Sequence, residues 1–166
     1  FSTTRTILNE PGSAQRLAQI CKEQGAHSVL IVTDPGIRKV GLLERVLPGF
    51  AREGLPVAVF DETEADPSDA TVLKASALGR QHKADLVVGF GGGSSMDVAK
   101  LVALLASPDC KQELKDMYGV GNAKGRRLPL IQVPTTAGTG SEVTPISIVT
   151  TGATTKAGVV SPVLQP

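Results

Sequence analysis

The sequence has no tryptophan, one tyrosine and four phenylalanines, so aromatic residues make up only 3% of its 166 positions. A surface that stacks unpaired bases needs several aromatic faces, and a single-stranded nucleic-acid platform is therefore not expected. Charge of one sign is also lacking: 17 Lys and Arg against 16 Asp and Glu leave a net charge of +1. That balance gives nucleic acid or an anionic membrane no basic stripe to bind. No apolar run approaches the ~20 residues of a membrane span. The opening Phe-Ser-Thr-Thr-Arg has no apolar core of a secretory leader, so none is expected. The two cysteines, Cys21 and Cys110, form no C-x-x-C pair. They are expected to be reduced thiols, which fits a cytoplasmic setting. The two histidines, His27 and His82, stand far apart at no metal-ligand spacing. Two catalytic loops are missing as well: no G-x-S-x-G elbow occurs, and no Gly-Lys-Ser/Thr closes a phosphate loop.

What is present is a regular alternation of apolar runs with helical periodicities. Arg5–Leu8 reads as a weak strand, and residues 13–24 read as an amphipathic helix carrying Leu17 and Ile20, stopped by Gly25. Val29–Val32 is a strand, residues 37–53 read as a helix broken or kinked at Pro48, and Val57–Phe60 is the next strand. A helix over residues 69–82, a strand at Leu86–Val88, a helix over 94–106 and a strand in Leu-Pro-Leu-Ile-Gln-Val-Pro follow. Three of these strands are continuously apolar, as strands covered on both faces are. Alternating strand and helix implies right-handed βαβ units and an open parallel sheet. The expectation is therefore a single α/β domain over residues 1–166, Rossmann-like, with helices on both faces. From Thr135 onward Thr, Gly and Ser dominate, and Ile-Ser-Ile-Val-Thr with Ala-Gly-Val-Val-Ser-Pro-Val reads as a C-terminal β-hairpin.

Three stretches carry candidate chemistry. Gly89, Gly91, Gly92 and Gly93 end the strand that contains Leu86–Val88, and Ser94 and Ser95 open the following helix, with Asp97 three residues past Ser94. Glycine permits positive φ and close approach of a ligand. The helix start adds unpaired N–H groups and a partial charge of roughly half a unit. Together they form an anion site suited to phosphate. The stretch is not the common dinucleotide fingerprint, since Ser94 stands where its last glycine belongs. A tight turn with no ligand is the competing explanation. Asp34 ends the first buried strand and shares the crevice edge of a parallel sheet with the glycines. There it could accept bonds from ribose hydroxyls and repel a 2′-phosphate, or simply begin the turn at Pro35-Gly36. Pro134–Pro145, Pro-Thr-Thr-Ala-Gly-Thr-Gly-Ser-Glu-Val-Thr-Pro, is a hydroxyl-rich loop at the same edge. Its hydroxyls and amides could hold a ribose, a diphosphate or an amide, or form an ordinary surface loop.

Assembled, these stretches resemble the iron-dependent (group III) alcohol dehydrogenase family. Gly-Gly-Gly-Ser-Ser-Met-Asp-Val-Ala-Lys and the Pro134–Pro145 loop carry the resemblance, spaced as in that family from Val-Thr-Asp-Pro-Gly and Lys-Ala-Gly-Val-Val-Ser-Pro. It covers essentially the whole chain. The resemblance implies the NAD-binding domain of a longer dehydrogenase that interconverts primary alcohols and aldehydes. It implies that Gly91, Gly92, Gly93 and Ser94 wrap the NAD pyrophosphate, with Ser95 and Asp97 beside them, and that Asp34 favours NAD over NADP. It further implies that Thr135, Thr136, Thr139 and Thr144 contact the two ends of the cofactor, that Lys156 contacts the nicotinamide ribose, and that Lys100 is an electrostatic partner on the helix. Two positions depart from the family pattern. Ala65-Asp66-Pro67 stands where Pro-Asn-Pro is usual, which puts the contact of Asp66 in question, and Thr150-Thr151 stands for Thr-Asp. The family's helical metal domain is absent, so iron or zinc is expected only in a full-length protein, and this chain alone is expected to be inactive. The apolar, Pro-punctuated end reads as a cut. Edge strands leave surface through which copies of the chain could form a homo-oligomer. The competing readings are a free-standing nucleotide-binding or sensing module, and a relative of glycerol dehydrogenase or dehydroquinate synthase. The Thr-Thr-Ala-Gly-Thr-Gly-Ser-Glu-Val-Thr-Pro sequence favours the alcohol dehydrogenases over that last branch.

Overall fold

The computed structural model describes all residues, Phe1–Pro166. Four parallel strands, β1 (Val29–Val32), β2 (Val57–Phe60), β3 (Leu86–Gly91) and β5 (Leu130–Pro134), form one sheet in the order β2-β1-β3-β5. The chain runs from β1 outward to β2, then crosses back to β3 on the other side of β1. The switch in winding direction therefore falls between the carboxyl ends of β1 and β3.

The continuous apolar character of β1 and β3 has its cause in the two layers that cover them, and every residue of both strands is buried. Successive side chains point to opposite faces. Leu30, Val32 and Val87 join a cluster with Val72, Val98, Leu101 and Val102 from α4 (Asp69–Gln81) and α5 (Gly93–Leu105). Val29, Ile31, Leu86 and Val88 join a second cluster with Leu17, Cys21 and Phe50 from α1 (Leu17–Glu23) and α3 (Leu47–Arg52). A short β4 (Gly119–Val120), β6 (Ile146–Thr151) and β7 (Thr155–Val160) form a second sheet in the order β4-β7-β6. Helix α5 lies between the two sheets and is buried on nearly every side. No helix is long and apolar enough to cross a membrane.

The expected hairpin is present as β6 and β7, paired antiparallel from Ile146↔Val160 to Thr151↔Thr155. Its partner β4 has no counterpart in the sequence reading, because two exposed residues give no periodicity to detect. Other expectations are corrected. Arg5–Leu8 forms no strand: it pairs with nothing, and Ile7 and Leu8 are exposed. Residues 13–24 divide into a 3-10 turn at Ser13–Arg16 and then α1. The single helix expected over 37–53 is three pieces: α2 (Pro35–Lys39), a 3-10 turn (Leu43–Arg45) and α3. Gly41, with φ +73°, ends the first piece. Pro48 lies in the opening turn of α3, where its missing N–H is no loss, rather than kinking a longer helix.

Candidate cofactor cradle

Three loops leave the carboxyl edge of the parallel sheet and meet at the switch between β1 and β3. After β1, Asp34 caps α2, its Oδ1 accepting from Ile37 N at 3.0 Å. Its Oδ2 accepts from the Ser95 hydroxyl at 3.3 Å, across to the start of α5. The cap of α2 and the hydrogen bond across to α5 thus come from the same side chain. At the last residue of β3, Gly91 has φ +152°, a backbone conformation that suits glycine. A Cβ there would lie 2.9 Å from Ser95 Oγ and 3.0 Å from Asp34 Oδ2.

The third loop, after β5, is drawn against the second. Thr135 N donates to Gly91 O at 2.9 Å. A Cβ on Gly92 would sit 3.0 Å from Thr136 Oγ1, and one on Gly93 3.2 Å from the Thr139 methyl. The glycines therefore let the threonine loop close on the glycine loop. Gly89 has a separate reason, since a Cβ there would overlap the Gln132 amide, which reaches over it to donate to Met96 O at 3.0 Å.

Met96 N is bonded back to Gly92 O, while the N–H groups of the preceding turn come before the first intrahelical bonds. The helix dipole places partial positive charge at that same point. A groove of about 400 Å³ opens beside it, lined by Asp34, Pro35, Gly92, Ser94 and Ser95 on one side and residues 62–65 on the other. Residues 62–64 escaped the sequence reading. Their signal was their position, immediately after the carboxyl end of a parallel strand.

The remaining expected site residues are held elsewhere. One turn into α5, Asp97 is enclosed: Ser141 Oγ donates to Oδ1 at 2.5 Å and Ile148 N to Oδ2 at 3.0 Å. Burial raises its pKa, opposed by the Ser141 and Ile148 hydrogen bonds and by Lys100. Lys100, whose side chain is 0% exposed, donates to Ile146 O at 2.8 Å and to Thr144 Oγ1 at 3.4 Å, with Asp97 Oδ1 at 3.7 Å. Burial pushes the ammonium down to about 8, against the opposing pull of Asp97 and Glu142. Asp66, at φ +55°, directs its carboxylate to Lys156 Nζ at 2.5 Å on β7. That hairpin is seated by Thr150 N on Pro67 O at 2.8 Å. The structure thus unites Asp34, Gly91–Ser95, Thr136 and Thr139 at one edge. Asp97, Lys100 and Thr144 gather under that edge, and Asp66 pairs with Lys156 on the hairpin.

No three His, Cys, Asp or Glu side chains are grouped so that they could hold a metal ion. His27 lies beside Asp85 at 3.3 Å, at the amino end of β3 and away from the crevice. The residues present therefore do not fit an iron or zinc ion.

An open parallel sheet with a glycine loop and a helix start at its switch point defines the nucleotide-binding class of α/β folds. Within that class, the chain belongs to the iron-containing alcohol dehydrogenase family, whose model matches residues 4–166. It is 41% identical over 138 residues to long-chain-alcohol dehydrogenase 1 of Geobacillus thermodenitrificans, covering 82% of this chain and 35% of that protein. Among solved structures it is similar to a 1,3-propanediol oxidoreductase, with TM-score 0.92 and 30% identity over 100% of this chain and 43% of that one. It is also similar to the sulfoacetaldehyde reductase of Bifidobacterium kashiwanohense in complex with NAD+, with TM-score 0.88 and 32% identity over 100% of this chain and 44% of that one. The chain thus spans well under half the length of these relatives.

Proposed function

We propose that residues 1–166 are the NAD-binding domain of a longer, two-domain oxidoreductase that interconverts a primary alcohol and its aldehyde. The observation that carries this reading is the meeting of Asp34, Gly91–Ser95 and the threonine loop at the switch point. The glycine loop and the first N–H groups of α5 hold the diphosphate, with Ser94 and Ser95 beside it. Asp34 accepts from the adenosine ribose and disfavours a 2′-phosphate. Thr135, Thr136, Thr139 and Thr144 shape the facing loop, and Asp97 holds that loop from beneath. Asp66 and Lys156 act as a pair at the hairpin, where Lys156 can reach a ribose only by sharing its ammonium with Asp66. Bound NAD supplies the hydride acceptor at its nicotinamide. This chain's part is to bind the cofactor and fix its orientation.

The metal ligands and most substrate contacts belong, on this reading, to the remainder of the longer protein. Titration calorimetry should show NAD+ binding to the isolated chain. The same chain, supplied with NAD+, a primary alcohol and iron or zinc, should form no NADH. Turnover by the chain alone would overturn the division of labour, and absence of NAD+ binding would overturn the assignment of the cradle.

A further inference from the structure

The groove beside the glycine loop continues past Asp34 to the carboxyl end of β2, where Glu62, Thr63 and Glu64 form its outer wall. Asp34, Glu62 and Glu64 all line it, and no Lys or Arg does. The three carboxylates are not equally committed. Asp34 spends one oxygen on the α2 cap and the other on Ser95. Glu62 meets only Lys74, in a pair whose side chains are both more than half exposed. Such a pair is weak and leaves most of the carboxylate's field in place.

Glu64 accepts from the Thr71 hydroxyl at 2.6 and 2.7 Å and from Ser68 N at 2.8 Å. Partial burial would raise its pKa, but these hydrogen bonds outweigh burial and hold it below the usual carboxylate range. Between the two glutamates, Thr63 is 1% exposed, and its hydroxyl has no hydrogen-bond partner. Its backbone N–H donates to Thr33 O at 3.3 Å, and Thr63 lines the groove. A buried hydroxyl without a partner has lost its hydration uncompensated, a cost that a ligand bonding it would remove.

We propose that Glu62 and Glu64 are specificity-determining residues that exclude a phosphate from the adenosine ribose, while the Thr63 hydroxyl bonds the unphosphorylated adenosine portion. The inference rests on the dinucleotide reading above. The groove is electrically graded. At its inner end the start of α5 attracts the diphosphate. At its outer end two carboxylates face the place where a further phosphate, carrying roughly −1.5 to −2 at neutral pH, would enter. Removing Asp34 alone leaves both of them in position.

The test is calorimetric titration of the full chain with NAD+ and NADP+, at low and high NaCl, for the parent, E62Q, E62Q/E64Q and T63V. The double variant should bind NADP+ about tenfold tighter and NAD+ within about twofold of the parent. E62Q alone touches only Lys74 and should give about threefold of that gain without disturbing the start of α4. In the parent, the penalty against NADP+ should shrink as salt rises; in the double variant it should shrink less, because Asp34 is then the one groove carboxylate left to be screened. T63V should weaken both dinucleotides about fivefold. NAD+ binding with an NADP+ to NAD+ ratio unchanged by both glutamate variants would overturn the glutamate assignment and leave the cradle standing. Unchanged affinities in T63V would overturn the role of Thr63. A parent that binds no NAD+ would overturn the cradle and this inference together.

Discussion

The first and second turns of α5 are built from one continuous sequence, Gly-Gly-Gly-Ser-Ser-Met-Asp-Val-Ala-Lys, yet they do opposite things. The first turn, Gly93–Ser95, leaves backbone N–H groups open at the crevice, with only Ser95 reaching across to Asp34. The second, Asp97–Lys100, is closed: the polar side-chain atoms of Asp97 and Lys100 are turned toward the threonine loop or β6. An anion site is useful only if its donors are unspent and its position fixed. The open turn supplies the donors, and the closed turn fixes the loop that packs against them.

The largest way to break this comparison is to empty the closed turn. Asp97→Ala would leave the Lys100 ammonium buried beside an unpaired Ser141 hydroxyl and Ile148 N–H. Urea unfolding should show a loss of about 3–5 kcal/mol. A change below about 1 kcal/mol would show that the second turn is not a structural anchor.

The open turn is broken by Gly92→Val. Gly92 has an ordinary φ of −82°, so the backbone tolerates a side chain and the protein should stay folded. The branched side chain would fill the space between the glycine loop and Thr136. NAD+ affinity should fall at least about a hundredfold in calorimetry, about 2.7 kcal/mol, with the circular dichroism spectrum unchanged.

Titration of Lys100 sharpens the comparison. Burial pushes its folded-state pKa down to about 8, below the 10.5 of the free side chain. Between those values the unfolded chain keeps a proton that the folded chain has released, so stability rises with pH through that window. The parent should gain on the order of 2 kcal/mol relative to Lys100→Met between pH 7.5 and pH 9.5. Parallel denaturation curves for the two proteins across that range would contradict the burial of a charged lysine. The smallest effect belongs to Ser95→Ala, which removes one long hydrogen bond to Asp34. It should weaken NAD+ by about threefold and leave stability within about 0.5 kcal/mol.

How much of this was visible in the sequence depended on whether the cause was local. Val29–Val32 and Leu86–Val88 were legible because burial on both faces leaves an unbroken apolar run. Asp34 and Gly91–Ser95 were legible as neighbours because parallel strands send their carboxyl ends to one edge. The stretch from Ile37 to Glu53 misled because its apolar residues keep helical spacing through Gly41, where the backbone turns left-handed. Arg5–Leu8 misled because a strand exists only with a partner, and none meets it. Asp97 and Lys100 carried no sign of enclosure, since their partners Ser141, Ile146 and Ile148 come from more than 40 residues away. The Asp66–Lys156 pair was hidden for the same reason. Thr63 and its flanking glutamates gave no signal of their own, and only the strand order sets them beside the glycine loop.

The most direct test of the central claim is to follow backbone amide resonances of the ¹⁵N-labelled chain as NAD+ is added. The account predicts that the largest shifts fall on Gly92–Ser95, with Asp34, Thr136 and Thr139 next, while the Asp97 and Lys100 amides move little. Shifts concentrated at the opposite end of the sheet, around His27 and Asp85, would contradict it.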